Sequence, residues 1–267
     1  EYVDKNILKP LGMIRSGCGF TYFEGDPNVS KLYYTHDGKQ VQSDDFYNNA
    51  FVLMGGGAMK STIKDMKSYI YMYLNKGKSI NGTKIIDEKC LMKMLRPRAA
   101  FSHQEYYGYG LSISNLNDLV VYSHGGSLPG VSSRLAFSHN NGVGVIVLCN
   151  TSDVPVGEVA NAAMRLAENR SPVAKRKEYI EKPMDKVRMS KLTGTFGSDE
   201  GTRIEFYAGD KGQLLAKSGD QEWTAIPVQR DIIVIPDEFM DRTFRLYENE
   251  SSEFWSVYAG SRMLRRL

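Results

Sequence analysis

The spacing of apolar residues changes character several times along this chain. Tyr2, Val3, Ile7 and Leu8 follow a helical spacing, which predicts the end of a helix over residues 1–9, broken by Pro10 and the turn Leu11-Gly12-Met13. Residues 14–54 are rich in turn formers. Strands are expected there only near Leu32–Thr35 and Lys39–Gln42, around Asp37-Gly38. After the tight loop Gly55-Gly56-Gly57, Thr62-x-x-Asp65 has the form of a capping box, and Ile63, Met66, Ile70 and Leu74 fall on one helical face up to Gly77. A second short helix, capped by Asp87, is expected through Leu91 and Leu95 to Pro97.

From Tyr106 the pattern turns to strands, expected near 107–114, 117–123, 131–139 and 142–149 and joined by short turns such as Asn140-Asn141-Gly142. That is an antiparallel meander. A helix follows from about Val156 to Asn169, with Val159, Ala163, Leu166 and Ala167 placed on its buried face. Residues 171–188 are rich in Lys, Glu and Pro without apolar periodicity and read as a linker. The rest is β throughout: runs at 192–196, 202–208, 212–217, 222–227, 231–235, 242–248, 253–258 and 261–267 predict a small eight-stranded antiparallel barrel or sandwich. The fold class is therefore α/β (α+β), a helix-flanked antiparallel sheet over residues 1–170 followed by a β domain over 189–267.

Composition narrows the function. The 267 residues are 42% hydrophobic and 24% charged, a globular balance, and 34 basic against 31 acidic side chains leave a net charge of +3. The charges are interspersed except for Arg262, Arg265 and Arg266, read as solvated strand-end charge, so nothing argues for nucleic acid. Cys18, Cys90 and Cys149 are too few and too scattered for a disulfide framework or a zinc site. No apolar run approaches the roughly 18 residues of a membrane-spanning helix. The first residue is Glu1, and the helical spacing already holds there, so an upstream segment of the same polypeptide is expected to cover the sheet.

The candidate chemistry lies in Tyr122-Ser123-His124-Gly125-Gly126-Ser127-Leu128-Pro129-Gly130, followed by the apolar run Val143 to Leu148. Taken alone, Gly-Gly before a Pro-containing loop marks a turn. The same residues also describe an active-site wall: Gly125 and Gly126 bare the main chain of a strand, a substrate can pair with it, the Ser127 N–H can face a developing oxyanion, and His124 can donate to a substrate carboxylate or carbonyl.

The order of Lys9-Pro10-Leu11-Gly12-Met13, Gly55-Gly56-Gly57-Ala58-Met59-Lys60-Ser61-Thr62 with Asp65-Met66, Tyr107-Gly108-Tyr109-Gly110-Leu111 and His124-Gly125-Gly126 resembles the serine β-lactamase and penicillin-binding-protein family. The branch it looks most like holds class C enzymes, D-aminopeptidases and related esterases, and the likeness covers residues 1 to about 170. The resemblance implies that His124 stands in the Lys place of a Lys-Thr-Gly triplet on the strand beside the nucleophile, with Gly125 and Gly126 next to it and the Ser127 N–H as half of an oxyanion hole. A His there departs from penicillinases and leans toward peptidase or esterase chemistry. Tyr33, with Tyr34, lies where the family has a loop flanking the pocket, and one of them can wall the site.

Members carry their nucleophile in Ser-x-x-Lys and a Tyr-x-Asn motif upstream of the Pro-Leu-Gly-Met segment. Ser61-Thr62-Ile63-Lys64 and Tyr47-Asn48-Asn49 imitate these patterns, but the first aligns with a non-catalytic helix start, so both are expected to be structural. His36, His103 and His139 sit in polar, turn-like contexts and are expected to be solvated, without metal-ligand spacing. Tyr107 and Tyr109 are expected to be core or pocket-floor residues.

The resemblance implies a substrate that is a peptidoglycan-like peptide, an ester or a β-lactam, no metal or organic cofactor and a location in the cell envelope or outside the cell, and it leaves room for a homo-oligomer. The tail opening with Leu192-Thr193-Gly194-Thr195-Phe196 resembles the lipocalin-like domain of some of these hydrolases. A non-catalytic envelope protein that keeps the cleft, and a ligand-carrying barrel, are the competing readings.

Overall fold

The computed structural model describes residues 1–19, 22–43, 55–100, 105–116, 119–152, 154–173, 178–236, 241–260 and 262–267. Tyr47 and His103 lie outside them. The chain divides into two compact units, Glu1–Arg98 with Gly108–Ala174, and Ala99–Tyr107 with Lys175–Leu267.

The first unit opens on a helical segment, π-type over Asp4–Leu8 and α-helical over Lys9–Leu11 (α1). Pro10 does not break it, contrary to expectation. The wider upstream turn, with Lys9 N–H bonded to the Asp4 carbonyl, accommodates the proline ring, and the helix ends instead at Gly12, whose φ of 68° is left-handed. Strand β1 (Gly17–Cys18) pairs with β4 (Met59–Lys60), and between them β2 (Leu32–His36) and β3 (Lys39–Ser43) form a hairpin. Its turn needs positive φ at both central residues, and Asp37 (49°) and Gly38 (72°) supply it.

Helix α2 (Ile63–Leu74) starts at Thr62, whose Oγ1 accepts the Asp65 N–H at 3.2 Å. Its buried side takes in Asp65, Ile70, Met72 and Tyr73, while Ile63 is 47% exposed, so the apolar face lies further round the helix than the spacing implied. Helix α3 (Glu88–Met94) is capped by the Asp87 carboxylate on Lys89 N–H.

Hairpin β5 (Ala99–Ala100) and β6 (Glu105–Tyr107) groups with the second unit. Then come β7 (Ser112–Asn115), β8 (Val120–Leu128), β9 (Val131–Ser138) and β10 (Val143–Cys149), paired antiparallel in that order. On one face of this meander Phe137 and Leu135 join Ile70, Tyr73, Leu91, Leu95, Leu8 and Leu11 in a core. Gly144 is what lets α2 approach β10, since a Cβ there would sit 2.4 Å from Ile70 Cγ2.

On the other face lies α4 (Val156–Ala167), packed on β9 and β10. It buries Ala160 and Met164 against Leu119, Val121 and Ala136. Val159 and Leu166, assigned to the buried face from the sequence, are 48% and 57% exposed, and Ala167 is exposed too. Small Ala160 lets the helix backbone sit close to the sheet, and Met164 fills the gap one turn on.

The second unit begins with α5 (Lys186–Leu192), capped by Asp185 and starting inside the stretch read as linker. One antiparallel sheet follows: β11 (Gly194–Gly197), β12 (Arg203–Ala208), β13 (Leu214–Ser218), β14 (Gln221–Thr224), β15 (Ile226–Gln229), β16 (Ile232–Ile235), β17 (Arg242–Glu248), β18 (Phe254–Ala259) and β19 (Arg262–Arg266). The spatial order β14-β13-β12-β11-β19-β18-β17-β16-β15 brings the chain's last strand onto the first, so the sheet curls almost closed. Among the described residues nine strands stand where eight were expected. The run 222–227 breaks at buried Ala225, whose N–H turns in to the Leu214 carbonyl, and its halves become the two ends of the sheet. Pro227 sits in end strand β15, where a missing N–H costs least.

Phe196, Phe206, Phe244 and Phe254 fill the interior with Ile233, Ile235, Val257 and Leu264, and Met189 and Leu192 of α5 complete the cluster. Arg266 is not solvated charge, as the sequence implied. Its guanidinium lies 4.9 Å from the Phe196 ring centroid and donates to the carbonyls of Phe254 (2.7 Å), Thr193 (3.0 Å) and Lys191. Closure of the sheet brings a C-terminal arginine onto the first strand, where it bonds carbonyls at the end of α5.

Candidate active site

Strand β8 bonds to β9 as far as Leu128, but among the described residues its register with β7 ends at the pair Ser112–Ser123. Among the described residues, His124 to Leu128 are therefore flanked by β9 alone, and all five are exposed. The turn Pro129-Gly130 closes on the pair Leu128–Val131, with Gly130 at φ 87°. In a two-residue hairpin that closing pair is hydrogen-bonded, so Leu128, Gly126 and His124 turn their main-chain groups to β9. Ser127 and Gly125 present theirs to the unpaired side. A carbonyl oxygen or an extended peptide laid along that side meets the N–H groups of Gly125 and Ser127.

The His124 ring folds onto its own strand, with Nδ1 2.7 Å from the Gly125 carbonyl. A carbonyl only accepts, so Nδ1 carries the hydrogen in this arrangement, and Nε2 is an acceptor in the neutral ring and a donor only in the imidazolium. The donor role expected of His124 thus requires its protonated form. Gly126 faces Ser133, whose Oγ lies 2.7 Å from where a Cβ would be, so any side chain at 126 would displace that hydroxyl.

The turn end of β8 is held by the β2–β3 hairpin. Tyr33 N–H donates to the Asn150 carbonyl and Ser152 N–H to the Tyr33 carbonyl, both at 3.0 Å, while Ser43 Oγ donates to the Pro129 carbonyl at 3.2 Å. Gly130 permits this approach, because a Cβ would lie 2.6 Å from Leu32 Cβ. Tyr33 is half-buried, fixed through its main chain beside the loop that follows β10.

Ser61 lies elsewhere in the unit, one residue before the α2 cap. Its Oγ meets Ser16 Oγ at 2.7 Å, and Ser16 in turn donates to Asp65 Oδ2 at 2.8 Å, which also takes Arg15 N–H at 2.7 Å. Because Thr62 is the cap, Ser61 is outside the helix and does not share a face with exposed Lys64. The group ties the Arg15-Ser16 segment to α2. His139, expected to be solvated, is half-buried, with Nδ1 2.8 Å from the Tyr73 carbonyl. Tyr109, expected to be a core or pocket-floor residue, is not in the core: it is 58% exposed under the Arg98 guanidinium, because Gly108 packs its main chain against the Met94 carbonyl and turns the next side chain outward.

Sequence reasoning missed Arg134. Its Nη2 donates to Ser123 Oγ at 2.7 Å, and its Nη1 lies 3.2 Å from where a Gly125 Cβ would be. Counting back across the Pro129-Gly130 turn pairs residue 134 with residue 125, so a hairpin register was the signal that would have found it.

Residues 1–169 match the Beta-lactamase family model, and the chain belongs to that family, one of serine hydrolases. No curated protein matches it. Among solved structures it resembles an octameric penicillin-binding protein homologue from Pyrococcus abyssi, with 22% identity, a TM-score of 0.59, and 98% of this chain against 59% of that one. SurE is similar at 18% identity and a TM-score of 0.68, covering 99% of this chain and 62% of the other. A D-amino acid amidase from Ochrobactrum anthropi SV3 complexed with D-phenylalanine matches at 19% identity and a TM-score of 0.52, over 63% of this chain and 52% of that one. These likenesses establish the transpeptidase-like fold. The chain spans about three fifths of the length of the first two structures.

Proposed function

We propose that this chain carries the substrate-binding wall of an acyl-transferring serine hydrolase acting on D-amino-acid peptides or amides, esters or β-lactam-like substrates. The observation that carries the reading is the one-sided stretch His124–Leu128, bare at Gly125 and Gly126, in a chain of the Beta-lactamase family. A substrate carbonyl at this edge receives the Ser127 N–H, and that bond strengthens as attack turns the oxygen into an oxyanion. The nucleophile is a Ser-x-x-Lys serine in an upstream part of the same polypeptide, activated by its Lys and a Tyr-x-Asn tyrosine; it attacks the carbonyl, expels the leaving group and forms an acyl-enzyme that water or an acceptor releases. His124 Nε2 accepts or donates toward substrate according to its charge.

The barrel interior, filled by its own phenylalanines, gives no support to a ligand-carrying role for the second unit. The test is labelling of the complete gene product with a fluorophosphonate and a fluorescent penicillin, followed by kinetics on a p-nitrophenyl ester and a D-amino-acid amide. Gly126→Val is expected to abolish substrate binding by filling the edge and displacing Ser133. His124→Ala is expected to lower kcat/KM by about 10- to 100-fold, the value of one charge-assisted bond, and to change the pH profile. Unaltered kinetics in both variants would show β8 to be an ordinary sheet edge, and absence of covalent labelling would favour the non-catalytic reading.

A further inference from the structure

We propose that Tyr109 is a specificity-determining residue which selects substrates whose leaving group ends in an aromatic or apolar group. The inference rests on the reading of β8 as the substrate strand. Among the described residues, the bare side of β8 is bounded at both ends. At one end stands the Pro129-Gly130 turn, held by Ser43 Oγ. At the other, β7 begins at Ser112 opposite Ser123, and the chain just before it turns away: Gly108 N–H donates to the Leu111 carbonyl at 2.8 Å, and Gly110 at φ 74° lets Tyr109-Gly110 form the tip of a tight turn. That turn is fixed in place. Tyr109 N–H donates to the Met94 carbonyl at 3.2 Å, and buried Leu111 joins the core of Leu91, Leu95 and Leu135, the last being the residue paired with His124.

Tyr109 therefore stands at the His124 end of the bare stretch. Its ring is exposed, and the Arg98 guanidinium lies 5.1 Å from the ring centroid, so a cation over one face steadies the ring and leaves the other face to a ligand. A substrate that continues the line of β7 runs as β7 does, antiparallel to β8. Its carboxyl-ward part then points to Leu111 and its amino-ward part to Leu128. With the reacting carbonyl at the Ser127 N–H, the departing group passes Gly126 and Gly125, where β8 offers no side chain, and reaches the level of the turn after roughly 10 Å, three residues of strand. There it meets the Tyr109 ring. A phenol ring stacks on aromatic or apolar surface and gains little from a short leaving group that stops before it.

The complete gene product would be assayed on two N-acetyl-D-alanyl thioesters, one of 3-phenylpropanethiol, whose ring reaches that far, and one of propanethiol. The two thiols leave with similar ease, so a difference in kcat/KM reports binding of the ring. The wild-type protein is expected to favour the phenylpropyl thioester by about 5- to 10-fold, chiefly through KM. Tyr109→Ala is expected to bring the phenylpropyl thioester down to the level of the propyl one, and Tyr109→Phe to keep the preference. Arg98→Gln, which frees the ring without removing it, should give an intermediate loss. The 3-phenylpropanoyl-D-alanyl thioester of propanethiol carries its ring on the acyl side, and any advantage it has over the acetyl compound should not depend on residue 109. A wild-type protein indifferent to the leaving-group ring, a preference that survives Tyr109→Ala, an equal fall on both substrates, or a dependence on Tyr109 for the acyl-side ring would overturn the assignment and leave the β8 reading standing. Turnover of none of these thioesters by the wild type would overturn the β8 reading and this one with it.

Discussion

The two units bury their apolar surface in different ways. The barrel is nearly self-sufficient: its sheet ends, β14 and β15, are halves of one continuous segment, and its buried apolar residues, with Met189 and Leu192 of α5, form a single cluster. The sheet of the first unit ends at β10, Val143 to Cys149, a seven-residue strand without a charge or a proline to discourage another strand from pairing. Leu148 within it, and Val159 and Leu166 of α4 packed on it, are 40–57% exposed. Curling a sheet removes its edges, and an open sheet must have them covered or guarded. The stretch His124–Leu128, flanked by β9 alone among the described residues, exists only because the sheet of the first unit is open.

The sharpest way to break this comparison is to empty the barrel. Phe206 is fully buried, edge-on to Phe196 at 6.1 Å and to Phe244 at 5.4 Å, so Phe206→Ala is expected to cost about 3–5 kcal/mol. Hydrogen exchange should show loss of protection confined to β11–β19, with β8–β10 keeping theirs. Joint loss in both sheets would mean that the two units unfold as one.

Met164→Ala should cost the first unit about 2–5 kcal/mol, because Met164 is fully buried on the inner side of α4. Urea melts monitored on that unit would measure it. Asp65→Ala leaves the Arg15 N–H and the Ser16 hydroxyl without their buried acceptor, an expected loss of about 1–3 kcal/mol, while Ser61→Ala should cost at most about 1 kcal/mol and leave hydrolysis by the complete protein intact. Loss of covalent labelling in folded Ser61→Ala protein would make that serine the nucleophile and remove it from the structural group.

On the outer side of the same helix, Leu166→Ser is expected to stay within about 0.5 kcal/mol in this chain. A cost of about 1 kcal/mol or more in the complete gene product would show that this face is covered there.

The smallest effect concerns the outside of the barrel. The hydrogen bond to Glu222, with some burial, pushes the Tyr207 phenol up to about 12 from an ordinary 10.0, so the folded chain holds a proton that the unfolded chain sheds. The stability this contributes is fully present below about pH 10 and is lost as the pH rises toward 12. Tyr207→Phe should flatten the alkaline decline in stability slightly and remove one late-titrating phenol from the ultraviolet titration. An unchanged phenolate titration would argue that the bond to Glu222 does not hold in solution.

Much of this architecture could be read from local chemistry. Thr62 and Asp87 cap helices because a short polar side chain bonds the first turn of whatever helix follows it, and Asp37-Gly38 makes a hairpin because both residues tolerate positive φ. The alternating strands after Tyr106, the shift to β structure after residue 190, and the ordered motifs that placed the chain in its family rest on residues close together in sequence. So does the exposure of the glycine pair before Pro129.

Other features were set only when distant segments met. Val159 and Leu166 carry as strong a helical stripe as Ala160 and Met164, and which stripe is inside depends on how closely α4 can approach β9 and β10. Arg266 reads as a surface charge until closure of the sheet lays it over Phe196. Arg134 reads as an ordinary strand residue until the register puts it under Gly125. Sequence by itself determined which backbone conformations were cheap and which faces were apolar, because those are properties of a residue and its near neighbours. Tertiary structure decided the pairing of faces and the partners of the long cations, because a guanidinium finds its acceptors through space, across strands whose register is fixed by the whole sheet.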